Sequence, residues 1–346
     1  MTVTLKDIAS RTGFSVSTIS RVLNGGGEKY RISQKTRLQI EKVAQELKYR
    51  PNQLARGLRT KKTQAIGLVI PDISNPFFAH VSRVIQVAMY EAGYILIVCN
   101  TDENQDTEIE QIQLLRSKGV DGFIIMPVGL ESHHISELMN SKIPVVLLDR
   151  SFKDISTNLV LVDNYTGSRK AVEYLLKNGH RRIAIIQGLT NTSTNDMRVK
   201  GYMEAHQAHH IEVDENLIVG KDYRRENGYI ETKYLLNLNN PPTAIYSTSD
   251  MITLGVLDAI FEEKLSVPDD ISLVSFDDVD YAPYLISPLT AVHQPWQLMG
   301  EIAVKLLLKD IKSSGQMEKS RIELKPVLNI RKSVKNLNIS PDTLNK

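Results

Sequence analysis

Cysteine is all but missing from this chain: Cys99 is the only one among 346 residues, which excludes an internal disulfide. Core burial must hold the fold, and a reducing cytoplasm is the expected setting. No stretch approaches the roughly 18 apolar residues of a spanning helix, and the N-terminus shows no signal-peptide pattern, so no membrane partner is expected. Signatures of catalysis are missing too. There is no Gly-x-Ser-x-Gly elbow, no His-Glu-x-x-His zinc pair, no phosphate-loop Gly-Lys-Ser/Thr and no dinucleotide glycine fingerprint. Neither enzyme activity nor a cofactor is expected. Gly25-Gly26-Gly27 is a turn between helices, not a phosphate cradle. His133-His134 and His209-His210 are adjacent pairs that point to different sides of a helix; they are expected to be solvated, and no metal site is predicted. Cys99, in the strand-like Tyr94-Ile95-Leu96-Ile97-Val98-Cys99, is expected to be a small buried hydrophobe.

A surplus of either charge is also lacking, since 42 Lys and Arg stand against 40 Asp and Glu. That balance conceals an uneven distribution. Residues 1–62 hold 14 basic and 4 acidic side chains, a net of +10, and the remainder carries −8. A small basic head on an acidic body is the electrostatic footprint of phosphate-backbone binding. The local pattern agrees. Thr4-Leu5-Lys6-Asp7 has the form of a capped helix start, followed by Leu5, Ile8 and Ala9 on one face. Gly13 supplies a tight turn, Ser15 can cap a second helix, and Val16, Ile19, Val22 and Leu23 recur there at helical spacing. Ser17, Thr18, Ser20 and Arg21 lie between them, all short and polar or bidentate. A third helix, capped by Ser33, turns Ile40, Val43, Ala44 and Leu47 inward. Three short helices whose second carries polar groups and an arginine suit a DNA major groove.

The body alternates strands and helices. Ala65-Ile66-Gly67-Leu68-Val69-Ile70 is a continuous apolar run, the mark of a strand buried on both faces. Further strands are expected at 94–99, 122–126, 144–149, 159–163, 183–186, 243–246 and 271–276, with helices between them. After Leu289-Thr290-Ala291-Val292 come a helix over 297–308 and one last strand near 321–328; residues past about 333 are expected to form a loose tail. Such alternation implies parallel sheets covered by helices. Two runs of similar length suggest two doubly wound lobes.

Open parallel sheets place ligand sites at the carboxyl ends of their strands. Asp149, Asp277, Asp278 and Ser249-Asp250 all fall at such ends, Asn75-Pro76-Phe77-Phe78 follows the first strand, and Arg198 lies near a helix start. Carboxylates and an arginine converging on aromatic rings suit a polyhydroxylated ligand such as a sugar. A strand-end Asp also serves simply as a helix N-cap, and Asp250 is the clearest candidate for that plainer role.

The segment Thr4 to Asn24, with Gly13-Phe14-Ser15-Val16-Ser17-Thr18-Ile19-Ser20-Arg21, resembles the DNA-binding headpiece of the lactose repressor/galactose repressor (LacI/GalR) family. Tyr49-Arg50-Pro51-Asn52-Gln53-Leu54-Ala55-Arg56-Gly57-Leu58 is similar to that family's hinge helix, and Pro71 to Phe78, Gly179 to Ala184 and Asp277-Asp278 carry the likeness through nearly the whole chain. The resemblance implies a cytoplasmic, homodimeric transcription regulator, most simply a repressor, binding an inverted-repeat DNA operator under the control of a small molecule. Its fold class would be an all-α headpiece plus an α/β core of two doubly wound, periplasmic-binding-protein-like lobes. Implied boundaries are a headpiece over 1–49, a hinge over 50–63, a core over 64–333 and a tail over 334–346. Within the core, one lobe spans about 64–162 and 291–323, the other about 163–290 and 324–333.

Matched position by position, Val16, Ser17 and Arg21 would read bases, and Ser15, Thr18, Ser20 and Asn24 would hold phosphates. Ala55, Arg56 and Leu58 would enter the minor groove. The effector positions would be Asn75, Phe78, Asp149, Arg198, Tyr223, Ser249, Asp277, Gln294 and Trp296, for a carbohydrate or, alternatively, a purine or nucleoside acting as corepressor. A solute-binding protein without regulatory role is the competing class; it leaves the basic headpiece unexplained. The loop Gly25-Gly26-Gly27-Glu28-Lys29-Tyr30-Arg31 is longer than in the lactose repressor. No leucine heptads follow Arg331, so a dimer rather than a tetramer is expected.

Overall fold

A computed structural model describes residues 3–49, 62–313 and 318–338, which divide into two compact units, 1–63 and 64–346. Ala55, Arg56 and Leu58 therefore lie outside the described residues.

The first unit holds α1 (Leu5–Thr12), α2 (Val16–Leu23) and α3 (Gln34–Glu46). The Thr4 amide and hydroxyl both donate to Asp7 Oδ2, at 2.7 and 2.8 Å, closing the start of α1. Gly13 stops that helix with φ 75°, a left-handed value that glycine adopts without a Cβ clash. Ser15 and Ser33 cap α2 and α3 by accepting from Thr18 N and Thr36 N. Ile8, Ile19 and Ile40, one per helix, are fully buried together and form the centre of this small core. Val43 and Leu47 pack only partly against it.

The second unit contains two six-stranded sheets. β1 (Ala65–Ile70), β2 (Ile95–Asn100), β3 (Gly122–Ile125), β4 (Val145–Leu148) and β5 (Asn158–Val162) build one, and β6 (Ile183–Ile186), β7 (Ile218–Val219), β8 (Ala244–Ser247), β9 (Ser272–Phe276) and β10 (Thr290–His293) build the other. Each takes a final strand, β11 (Arg321–Leu324) in the first and β12 (Val327–Asn329) in the second. Their orders, β11-β5-β4-β3-β1-β2 and β12-β10-β9-β8-β6-β7, repeat one topology. Along β1, Ile66, Leu68 and Ile70 enter one hydrophobic cluster while Ala65 and Val69 enter the cluster on the opposite face. This is why the strand reads as unbroken apolar sequence. Cys99, on the edge strand β2, is half-buried rather than buried.

Three details depart from expectation. Thr290–His293 pairs in parallel with β9, so the chain returns to the first lobe after His293 and not at 290/291; the strand is buried inside the second sheet. The stretch expected as one strand near 321–328 is two, in different sheets. Pro326 lies between them, and without an N–H it cannot continue a ladder. Residues 334–338 are not a loose tail. Lys335 N donates to Ser272 Oγ at 2.9 Å, Leu337 N donates to Asn178 O at 2.7 Å, and Val334 packs on the second lobe's core.

Candidate functional site

Both sheets end their strands toward one cleft, lined by residues of both lobes and enclosing about 430 Å³. Connecting α4 (Pro76–Glu91) begins at its edge, with Asn75 as cap accepting from Phe77 N at 2.8 Å. Asp149 follows β4 and Asp277 follows β9, and the two are topological counterparts. Each donates its amide to the neighbouring strand, Asp149 to Val160 O and Asp277 to Val292 O. Each also adopts a left-handed backbone, with φ 67° and 77°. Non-glycine residues held there cost conformational energy and cluster where a site needs them.

Burial dominates the electrostatics. Asp149 is 4% exposed and its carboxyl is pushed up to about 6 by loss of water, against the opposing pull of Arg150 and Arg198. Asp277 is shifted upward for the same reason and accepts from Gln294 Nε2 at 2.5 Å. Arg198, 4% exposed, donates to Asn164 Oδ1 at 2.8 Å and Thr248 O at 2.5 Å, with its guanidinium carbon 3.7 Å from the centroid of the Phe276 ring. Tyr223 hydrogen-bonds Thr194 Oγ1 at 3.1 Å, and its ring lies on Gly188, where any Cβ would collide with it. Ser249 Oγ caps the helix Asp250–Glu262 by accepting from Ile252 N.

Eight of the nine expected cleft residues line this cavity: Asn75, Phe78, Asp149, Arg198, Tyr223, Ser249, Asp277 and Gln294. Trp296 does not. It opens the helix Trp296–Ser313, stacks on His80 at 4.8 Å and borders a small recess behind the cleft. His80 covers its ring. Asp250 is likewise not the cap of its helix, which is Ser249; buried, it accepts from Asn75 Nδ2 at 2.9 Å across the lobes. Burial, reinforced by the nearby Asp277 charge, pushes its carboxyl up to about 7.

Sequence reasoning missed the ion pair at the cleft wall. Arg150 donates bidentately to Glu103, two bonds of 2.6 Å, and lies over both Phe78 and Tyr223, at 5.9 and 5.1 Å from their ring centroids. Its position directly after a strand-end Asp was the available signal. Outside the cleft, His134 is buried and 2.6 Å from Glu108 Oε1, so it is not solvated as expected; His133 is. Among the described residues no group of three His, Cys, Asp or Glu could hold a metal, and no helix is long and apolar enough to cross a membrane.

In the first unit, Ser15, Val16, Ser17, Arg21 and Asn24 are exposed on α2, and Thr18 and Ser20 are half-buried. Val16 is 40% exposed, an aliphatic group in water at the start of the helix. Ser15 Oγ lies 2.8 Å from both Ser17 Oγ and Thr18 Oγ1. Asn24 Nδ2 donates to Ser20 O at 2.6 Å, tying both to the helix end.

Comparison with known proteins covers both units. Residues 4–52 match the family described as bacterial regulatory proteins, lacI family, and residues 63–332 match the periplasmic binding proteins and sugar binding domain of that family. The chain is 32% identical over 337 residues to the HTH-type transcriptional repressor PurR of Photobacterium profundum, covering 97% of this chain and 99% of that one. The solved lac repressor dimer bound to operator and the anti-inducer ONPF aligns with TM-score 0.84 at 27% identity, over 97% and 100% of the two chains. A complex of the regulator CelR with cellobiose aligns with TM-score 0.72 at 28% identity, over 96% and 99%.

Proposed function

Because the chain belongs to the LacI family of bacterial transcription regulators, we propose that it is a cytoplasmic, homodimeric repressor that senses a sugar or sugar derivative in its cleft. Two copies of α2 would enter successive major grooves of an inverted repeat. Arg21 would pair with guanine O6 and N7, Val16 would meet a thymine methyl, and Ser17 would complete the base contacts. Ser15, Thr18, Ser20 and Asn24 would hold phosphates and set register. Ala55, Arg56 and Leu58 would supply a minor-groove wedge at the centre.

The effector class rests on one observation. Asp149 Oδ1 and Gln294 Oε1 at the cleft, and Asp250 Oδ2 in the recess behind it, are buried without a hydrogen-bond donor. Unpaired buried acceptors are costly, and a ligand rich in hydroxyl donors relieves them. An anionic ligand would instead face Asp149 and Asp277. The CelR–cellobiose complex supports a carbohydrate by likeness. A purine or nucleoside is the second reading, favoured by the rings of Phe78 and Tyr223 at the same wall, on which a flat base would stack.

Effector binding would change the angle between lobes. The Asn75–Asp250 bond joins them, so closure or opening must act on it. A melting screen with neutral sugars, sugar phosphates and nucleosides tests the class, because a ligand at 100 times its dissociation constant adds about 2.7 kcal/mol. Stabilisation by neutral sugars supports the proposal; stabilisation by nucleosides alone replaces it with the second reading.

A further inference from the structure

The loop between α2 and α3 is built, not slack. Gly26 N donates to Arg21 O at 2.8 Å, Tyr30 N to Gly26 O at 3.0 Å, Arg31 N to Glu28 O at 2.9 Å and Ile32 N to Gly27 O at 2.9 Å. Glu28 in turn accepts from Arg37 Nη1 of α3 at 3.1 Å. These bonds fold the loop back over the end of α2, so that the Tyr30 ring lies against Arg21, whose guanidinium carbon is 4.3 Å from the ring centroid. A glycine eases the approach. A Cβ on Gly26 would come within 3.1 Å of Arg21 O and 3.2 Å of two Tyr30 ring carbons.

Geometry makes the contact compatible with base reading. A cation–π contact uses the flat face of the guanidinium, whereas bidentate recognition uses the N–H fork in its plane. An arginine free in water must give up rotamer freedom to fix that fork, and a ring packed on its face removes part of the freedom beforehand. We propose that Tyr30 is a positioning residue: it holds Arg21 on the surface of α2 with its fork presented to the major groove, and so sharpens discrimination at the base pair Arg21 meets. The inference rests on the assignment of Arg21 as a base reader.

The test uses the full chain and the duplex that the unaltered protein enriches from a randomised library. Affinities for that duplex, for its single-base variants and for a scrambled duplex are compared at fixed salt. Tyr30→Ala is expected to lower discrimination at the Arg21-dependent base pair by about two- to fivefold, leaving scrambled binding and the salt slope unchanged. Tyr30→Leu, which keeps apolar bulk without a ring face, should behave like Tyr30→Ala, and Tyr30→Phe should retain discrimination. The double variant Arg21→Ala/Tyr30→Ala should discriminate no worse than Arg21→Ala. Undiminished discrimination in Tyr30→Ala and Tyr30→Leu, a loss in Tyr30→Phe equal to theirs, or additive losses in the double variant would overturn the proposal. Should Arg21→Ala weaken all duplexes equally, the base-reading assignment itself fails and takes the inference with it.

Discussion

On α2 the side chains assigned to base reading stand in water, whereas in the cleft the polar groups are buried and most are already bonded to a neighbour. Val16, Ser17 and Arg21 are exposed, and Tyr30, the Ser15–Ser17–Thr18 network and the Asn24–Ser20 bond restrain that surface. Arg198, by contrast, spends its donors on Asn164 and Thr248, and Arg150 spends its own on Glu103. The difference fits the proposed partners. DNA brings its own fixed charges and desolvates the surface on arrival, so affinity is gained at the interface. A neutral sugar would bring little charge, so a cleft that holds one would have to be organised before it enters, at the expense of the core's own stability.

The contrast breaks most visibly, if it breaks, at the two arginines. Arg198→Ala strands Asn164 Oδ1, removes the arginine that offsets burial at Asp277 and leaves Asp149 with Arg150 alone, and is expected to destabilise the core by about 3–5 kcal/mol in urea unfolding. Arg21→Ala should leave unfolding within about 0.5 kcal/mol of the parent. Equal effects on stability would remove the distinction. On DNA the ranking reverses: Arg21→Ala should cost about 1–3 kcal/mol at one guanine position, and uniform weakening on all duplexes would show a phosphate contact instead.

A pH series sharpens the comparison, since the two regions respond with opposite sign. Asp149 and Asp250 have carboxyls held up to about 6 and about 7 by burial. Their contribution is complete below the ordinary value of 3.8 and is lost as pH rises through about 6 to 7. Asp7 is shifted downward by hydrogen bonds from Thr4, so its contribution is present above the ordinary value and lost only as pH falls below it. Between pH 5 and 8 these two carboxyls should withdraw about 4 kcal/mol from the core, and Asp250→Asn should flatten part of that slope. An unchanged slope in the variant would remove Asp250 as a source. Smallest is Val16→Ala, expected to cost about 1 kcal/mol at one thymine and nothing in unfolding; a loss spread evenly over sequences would deny Val16 a base contact.

The parts of this molecule that showed through the sequence are those where one physical demand acts alone. Strands buried on both faces must be apolar throughout, which made Ala65–Ile70 plain. Strand ends in parallel sheets face a common edge, which makes the positions of Asp149 and Asp277 legible. What did not show depends on distant partners. Nothing near Trp296 announces that His80 will cover it, and nothing near Asp250 announces Asn75, 175 positions away. Glu103 lacks local meaning until the fold brings Arg150 beside it, 47 positions apart. His134 read as solvated because adjacent histidines alternate around a helix, yet Glu108 from the preceding helix gives it a buried partner. The return of residues 334–338 to the second lobe rests on scattered hydrogen bonds and the Val334 contact, which no periodicity encodes.

Linkage between the two regions is the most direct measurement. A neutral sugar that raises the melting temperature is titrated into the full chain by calorimetry, alone and then saturated with the enriched palindromic duplex. The account predicts that duplex changes sugar affinity by the same factor by which sugar changes duplex affinity, about 5- to 150-fold. Identical sugar affinity with and without the duplex would contradict it.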